Sequence, residues 1–253
     1  MLKPDLDMAR RFAVMNAPLG ELLHVGLVGA HYYGFPSADS DLDLKGMHIA
    51  PTASMLGLCP PPDTHDVLEV FEGVEHDLTT HEVQKALTLL LRGNGNVLER
   101  LMTPMQLVEN EDLEALRGLA EGALCKRFGS HYRGYFGGMC REHAREPRAK
   151  SLLYAYRAAL TGVHLLRSGE VRGDVVANAR DLGLDDVEEL VAFKRDAGEK
   201  SALDPGLDAK HRMRWPALEA KLDEAMAKTH LPDEPLNVDA VDAWLVRRRL
   251  DAL

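Results

Sequence analysis

His24–Gly46 reads HVGLVGAHYYGFPSADSDLDLKG. An apolar run, His24-Val25-Gly26-Leu27-Val28, ends in the turn residues Gly29 and Ala30, and Asp41-Leu42-Asp43-Leu44 follows. Carboxylates at i and i+2 flanked by apolar residues share one face of a β-strand, because side chains alternate across the pleat. Along a strand they lie about 7 Å apart, at roughly 3.3 Å per residue. Their oxygens can converge on one divalent ion or bridge two ions about 3.5–4 Å apart. A metal site beside a phosphate cradle is the hardware of phosphoryl and nucleotidyl transfer. Standing alone, Asp-x-Asp after Ser37-Ala38-Asp39-Ser40 would read as a polar turn entering a strand.

The pair does not stand alone. Gly29-Ala30-His31-Tyr32-Tyr33-Gly34 through Asp39-Ser40-Asp41-Leu42-Asp43-Leu44-Lys45-Gly46 resembles the DNA polymerase β-type nucleotidyltransferase superfamily. Within it, the stretch is similar to a stand-alone bacterial and phage branch, in which Gly-Ser-x-aromatic-x-Gly leads into Asp-Ser-Asp-x-Asp-x-x-Gly. The resemblance implies an α/β (α+β) fold: a polymerase β-like palm with a short mixed sheet, then a C-terminal helical domain. It also implies a third carboxylate on a later strand. Val74-Glu75-His76-Asp77-Leu78 reads as that strand and Asp77 is the matching position, with Glu75 as its rival on the same strand face. By the same resemblance Asp41 and Asp43 would hold the nucleotide-carrying Mg2+ (or Mn2+), and Asp43 and Asp77 a second ion. Gly29, Ala30 and His31 would meet the terminal phosphates. Here the chain departs from the pattern: Ala30 replaces the family serine, removing a donor to a charged group worth about 1.5–3 kcal/mol. Backbone donors remain, and His31 offers another.

Thr79 and Glu82 have capping-box spacing, which predicts a helix from about Thr80, with Val83, Ala86, Leu87, Leu90 and Leu91 on one face. Gly93 suits its end, Asn94-Gly95-Asn96 a turn, and Asn96 with Glu99 a second capping box, favoured over ligand contact. Strands are predicted over 23–28, 41–49, 66–72 and 74–78, and beyond Met105 nearly everything reads helical. The expected division is a palm-like catalytic domain over 1–104 and a helical nucleotide- and substrate-binding domain over 105–253, with the nucleotide between them. A helix is expected from Ala149 to Arg167, closed by Ser168-Gly169, with Lys150, Tyr154, Arg157 and Thr161 as a polar stripe. Such stripes are commonly solvated. The branch has a similar helix, and by that resemblance Lys150 and Arg157 would touch triphosphate oxygens while Tyr154 packs on the base. Phe128 to Cys140 is expected to pack, residues 183–230 to form surface helices, and Arg247-Arg248-Arg249 to suit a helix C-terminus.

Composition narrows the rest. The chain has 253 residues, 45% hydrophobic, enough for a sizeable core and against disorder. A net charge of −10 argues against a general DNA- or RNA-binding surface, though not against a local basic channel. Cys59, Cys125 and Cys140 fit no short metal spacing and read as thiols in a reducing compartment. No apolar run approaches the roughly 20 residues needed to cross a bilayer. Met1-Leu2-Lys3-Pro4-Asp5 lacks a signal-peptide core, so a cytoplasmic protein is expected. His65-Asp66 and His76-Asp77 match the dipeptide of HD-type phosphohydrolases, but both lie in strand-like surroundings. Walker, dinucleotide-binding and zinc-protease motifs are absent. The expectation is a metal-dependent nucleotidyltransferase that moves an NMP from an NTP to an acceptor hydroxyl on RNA, protein or a small molecule, releasing pyrophosphate. The alternative is a weakened nucleotide- or partner-binding module of the same fold.

Overall fold

The computed structural model describes residues 4–198 and 201–251. In chain order come α1 (Leu6–Met15), β1 (Glu21–Leu27), the short α2 (Gly29–Tyr33) and β2 (Leu42–Ile49). Then follow α3 (Thr52–Met55), β3 (Thr64–Phe71), β4 (Val74–Glu82), α4 (Val83–Leu91) and α5 (Gly95–Met102). After β5 (Gln106–Glu109) come α6 (Leu113–Gly122), α7 (Arg127–Arg145), α8 (Ala149–Ser168) and α9 (Val175–Arg180). The last are α10 (Val187–Ala197), α11 (Pro205–Arg212), α12 (Trp215–Lys228) and α13 (Val238–Leu250).

Contacts divide the chain into a sheet unit, residues 4–29, 41–124 and 234–251, and a helical unit, Ala30–Ser40 with Cys125–Asp233. The break does not fall after 104. β5 pairs antiparallel with β1, so residues beyond 104 complete the sheet, as α13 completes its unit. Four residues are too few to show alternation, which is why β5 escaped the sequence reading.

In the sheet unit the strand order is β3-β4-β2-β1-β5, with β2 and β4 parallel and the other pairs antiparallel. The expected short mixed sheet is therefore present. Helix α1 lays Met8, Ala9, Phe12 and Ala13 against Val25, Leu27, Leu42, Leu44, Leu78 and Leu107. With period 2, committing Leu42, Leu44 and Leu78 to this core sends Asp43, Lys45 and Asp77 to the opposite face. The β3–β4 hairpin turns on Glu72 and Gly73, both at positive φ (50° and 86°), as a two-residue turn of this hand requires.

The helix after β4 starts later than capping-box spacing predicts. Strand pairing runs from Leu42↔His76 to His48↔Glu82, and that ladder outweighs a local cap at Thr79. Glu82 is itself the N-cap of α4, accepting from the Gln84 N–H at 2.9 Å. Likewise Asn94, not Asn96, caps α5, accepting from the N–H groups of Asn96 and Val97. Gly93, at φ 79°, ends α4 as expected.

In the helical unit α8 spans nearly the predicted range and is closed by Gly169 at φ 76°, whose N–H bonds Leu165 O at 2.8 Å. It packs on α7 at close range because Gly162 presents no side chain: a Cβ there would meet Tyr132 Cβ at 2.7 Å. Arg157 and Thr161 are 1% and 0% exposed, so the C-terminal half of the expected polar stripe faces the interior rather than water, while Lys150 and Tyr154 are half-buried. Lys194 and His211 are also fully buried, against the expectation that residues 183–230 form surface helices.

Candidate active site

Asp43 lies in β2 directly beside Asp77 of β4 in the parallel register, and Lys45 lies beside Thr79. Neighbouring strands run about 4.8 Å apart, so two half-buried carboxylates meet side by side on one face. Asp41 sits two residues upstream, just before β2, and is also half-buried. Glu75 lies one step beyond this pairing and is exposed.

The apolar strand β1 delivers the Gly29 turn to the same place. The Val28 N–H donates to Asp43 O at 2.9 Å. Gly29 has φ 65°, and a Cβ on it would come 1.8 Å from Asp43 Oδ2. Only glycine permits both the left-handed backbone and this approach to the carboxylate.

A cation joins them. Lys45 Nζ lies 2.7 Å from Asp77 Oδ1 and also donates to Asp77 O at 3.2 Å and Thr79 Oγ1 at 3.1 Å. The sequence contained the signal, since Lys45 is i+2 from Asp43 and shares its face. Its partner could be found only from the register.

Among the described residues no three His, Cys, Asp or Glu side chains form a ready-made metal cage. The donors offered are carboxylate oxygens, suited to a hard divalent cation. Mg2+ in transfer sites is commonly held by one or two carboxylates with substrate phosphates and water completing the shell. Asp43 and Asp77 offer such oxygens side by side, and Asp41 is not gathered with them into a three-carboxylate cluster. The histidines of the HD-like dipeptides are used elsewhere. His65 Nε2 bonds Asn16 O at 2.9 Å, and His76 is fully buried, with its ring 4.5 Å from that of Phe12 and Nδ1 2.9 Å from Val74 O.

The remaining predicted site residues belong to the helical unit. Ala30 is 1% exposed and His31 half-buried, both on α2. On α8, Lys150 and Tyr154 are half-buried. Tyr154 meets the rings of Tyr33 and Phe35 edge-on at 5.9 and 5.4 Å. The Arg157 guanidinium lies over the rings of Tyr33 (4.2 Å) and Tyr135 (5.0 Å) and donates to the Tyr33 hydroxyl. A second buried cation lies in this unit. Lys194 donates to Phe35 O (3.2 Å), Ser37 Oγ (3.1 Å) and Ser40 Oγ (3.1 Å), fixing the segment that leads into Asp41. Its signal was Val187, Leu190 and Lys194 at i, i+3 and i+7, which puts the lysine on an apolar stripe.

Over residues 7–247 the sequence matches the RNA repair pathway DNA polymerase beta family (RlaP). The chain belongs to this family. An uncharacterized protein of Methanocaldococcus jannaschii is 27% identical over 233 residues, covering 90% of this chain and 94% of that relative. Among solved structures, a nucleotidyltransferase-like protein from Exiguobacterium sibiricum aligns at a TM-score of 0.37 and 12% identity, over 98% of this chain and 80% of that one. Membership of the polymerase beta family gives this chain a nucleotidyltransferase-like character, and the Gly29–Asp43–Asp77 cluster lies within the matched residues.

Proposed function

We propose that this polymerase beta family member is a metal-dependent nucleotidyltransferase. It would move an NMP from an NTP to an acceptor hydroxyl of RNA, protein or a small molecule. The observation that carries the reading is the side-by-side pairing of Asp43 and Asp77 next to a glycine that no other residue could replace. A pure scaffold has no physical need for converging carboxylates, which repel one another.

Asp41 and Asp43 would hold the ion that accompanies the nucleotide, and Asp43 and Asp77 the one beside the acceptor. Such ions neutralise phosphate charge and lower the pKa of an acceptor hydroxyl. The acceptor oxygen forms a bond to the α-phosphorus as the bond to the β-phosphate oxygen breaks. Pyrophosphate leaves with that electron pair, and the acceptor proton passes to solvent. Backbone N–H groups at Gly29, Ala30 and His31 would face the terminal phosphates. Lys150 and Arg157 would add cations, and Tyr154 a plane for the base. For Arg157 to do so, its guanidinium has to leave the rings of Tyr33 and Tyr135.

Two observations favour a second reading, a nucleotide- or partner-binding module of weakened activity. Ala30 lacks the hydroxyl of the family serine, and Asp77 is already ion-paired with Lys45. Calorimetric titration of ATP, GTP, CTP and UTP with and without Mg2+ separates the two readings. Mg2+-dependent binding that is lost in Asp41→Ala and Asp43→Ala, with label transferred from α-phosphate-labelled NTP, supports the enzyme. Binding without transfer to any RNA, protein or small-molecule acceptor leaves the module.

A further inference from the structure

We infer that Lys45 is a positioning residue for the carboxylate pair, acting as a built-in cation that orients Asp77 and limits how tightly the nucleotide-free protein takes up divalent ions. This rests on the reading of Asp43 and Asp77 as ion-holding residues and assigns Lys45 its part in that site. The Lys45 side chain is only 18% exposed, and its ammonium is bound three ways to one stretch of β4: Asp77 Oδ1 at 2.7 Å, Asp77 O at 3.2 Å and Thr79 Oγ1 at 3.1 Å. The Thr79 hydroxyl in turn donates to the same oxygen, Asp77 Oδ1, at 3.4 Å, so Lys45 and Thr79 hold that oxygen together. This differs from a surface ion pair, in which two long side chains meet in water at little gain.

The register explains why the lysine belongs here. Asp43 and Asp77 are directly opposed on adjacent strands, and Lys45 is the next same-face residue along β2. Two carboxylates at that spacing raise each other's energy, and a cation beside them offsets the repulsion. A divalent ion would supply the same charge, so Lys45 and the ion compete for one electrostatic role. With Lys45 bound to Asp77, the pair presents less net charge to an incoming ion. Nucleotide phosphates, which bring further oxygen ligands, are then needed for firm binding. The consequence is a site that loads its ion together with the nucleotide rather than before it.

The test is Mn2+ binding followed by electron paramagnetic resonance on the full chain without nucleotide. Lys45→Met, which keeps the length and removes the charge, should bind Mn2+ at least about tenfold more tightly than wild type, and Lys45→Arg should stay within about threefold of it. Adding Asp43→Asn to Lys45→Met should abolish the gain. Lys45→Gln gives the same reading if Lys45→Met does not fold by circular dichroism. An Mn2+ affinity in the charge-removed variant within about threefold of wild type would overturn the inference, as would a gain that survives Asp43→Asn. A gain in Mn2+ affinity without nucleotidyl transfer in wild type would sink the proposed function but not the role of Lys45. Transfer in wild type with unchanged Mn2+ affinity in the lysine variants would do the reverse.

Discussion

Gly29 carries two constraints at one residue, a backbone at φ 65° and a carboxylate where a Cβ would stand. Gly29→Ala should therefore cost about 1–2 kcal/mol for the left-handed backbone alone. Because the methyl would also push Asp43 aside, transfer should fall at least about a hundredfold, measured as single-turnover release of pyrophosphate. Asp77→Asn should abolish transfer while calorimetry still finds much of the nucleotide affinity; near-normal turnover would remove Asp77 from the mechanism. Ala30→Ser restores the hydroxyl of the family pattern and should tighten NTP binding about tenfold or more, the value of one donor to a charged group. The Asp-x-Asp pair and Gly29 were legible in the sequence because their meaning is local: a period of two, a turn, a spacing. The bond from Lys45 to Asp77 was not, because it depends on which strand lies beside β2 and in what register.

Among the elements, those governed by local rules were read nearly to the residue. Helix α8 starts after Pro147 and stops at Gly169, both fixed by backbone preferences that need no neighbours. Wherever a partner decided the outcome, spacing alone misled. The capping signal at Thr79 lost to the β2–β4 ladder, and the arginines closing α13 do more than suit its dipole. Arg248 bridges Glu21 and Asp112, and Arg249 pairs with Glu82 and donates to Ala50 O at 2.8 Å. Helix α10 shows the same lesson through Lys194, a charge on an apolar stripe. Lys194→Met would strip three hydrogen bonds from the Phe35–Ser40 segment. It should destabilise the protein by about 2–4 kcal/mol in urea unfolding, given roughly 1.5–3 kcal/mol for a charged bond and incomplete additivity. Amide exchange should quicken over 35–40. Unchanged exchange there would show that the loop is held by other contacts.

For the molecule as a whole, the buried His24 and the half-buried His81 contribute to its response to acid. Burial, reinforced by Arg100, pushes His24 down to about 3, and burial with Arg100 and Lys85 pushes His81 to about 4. Both stay neutral in the folded chain while their unfolded counterparts protonate near 6.5. Between about pH 6.5 and 3 the unfolded state binds more protons, so stability is full above that window and falls as pH falls through it. Urea unfolding at pH 7.5 and 5.5 should differ by about 1.4 kcal/mol from His24 alone, and His24→Gln should remove that share of the slope. The ion pairs of α13 have a consequence in the order of synthesis. Glu21 waits for Arg248 across 227 residues, on the order of 10–45 s of translation at about 5–20 residues per second. Glu82, 1% exposed, likewise gains its cation only when Arg249 has emerged from the ribosome. A chain released before that point carries a buried carboxylate without its guanidinium, several kcal/mol short of its fold.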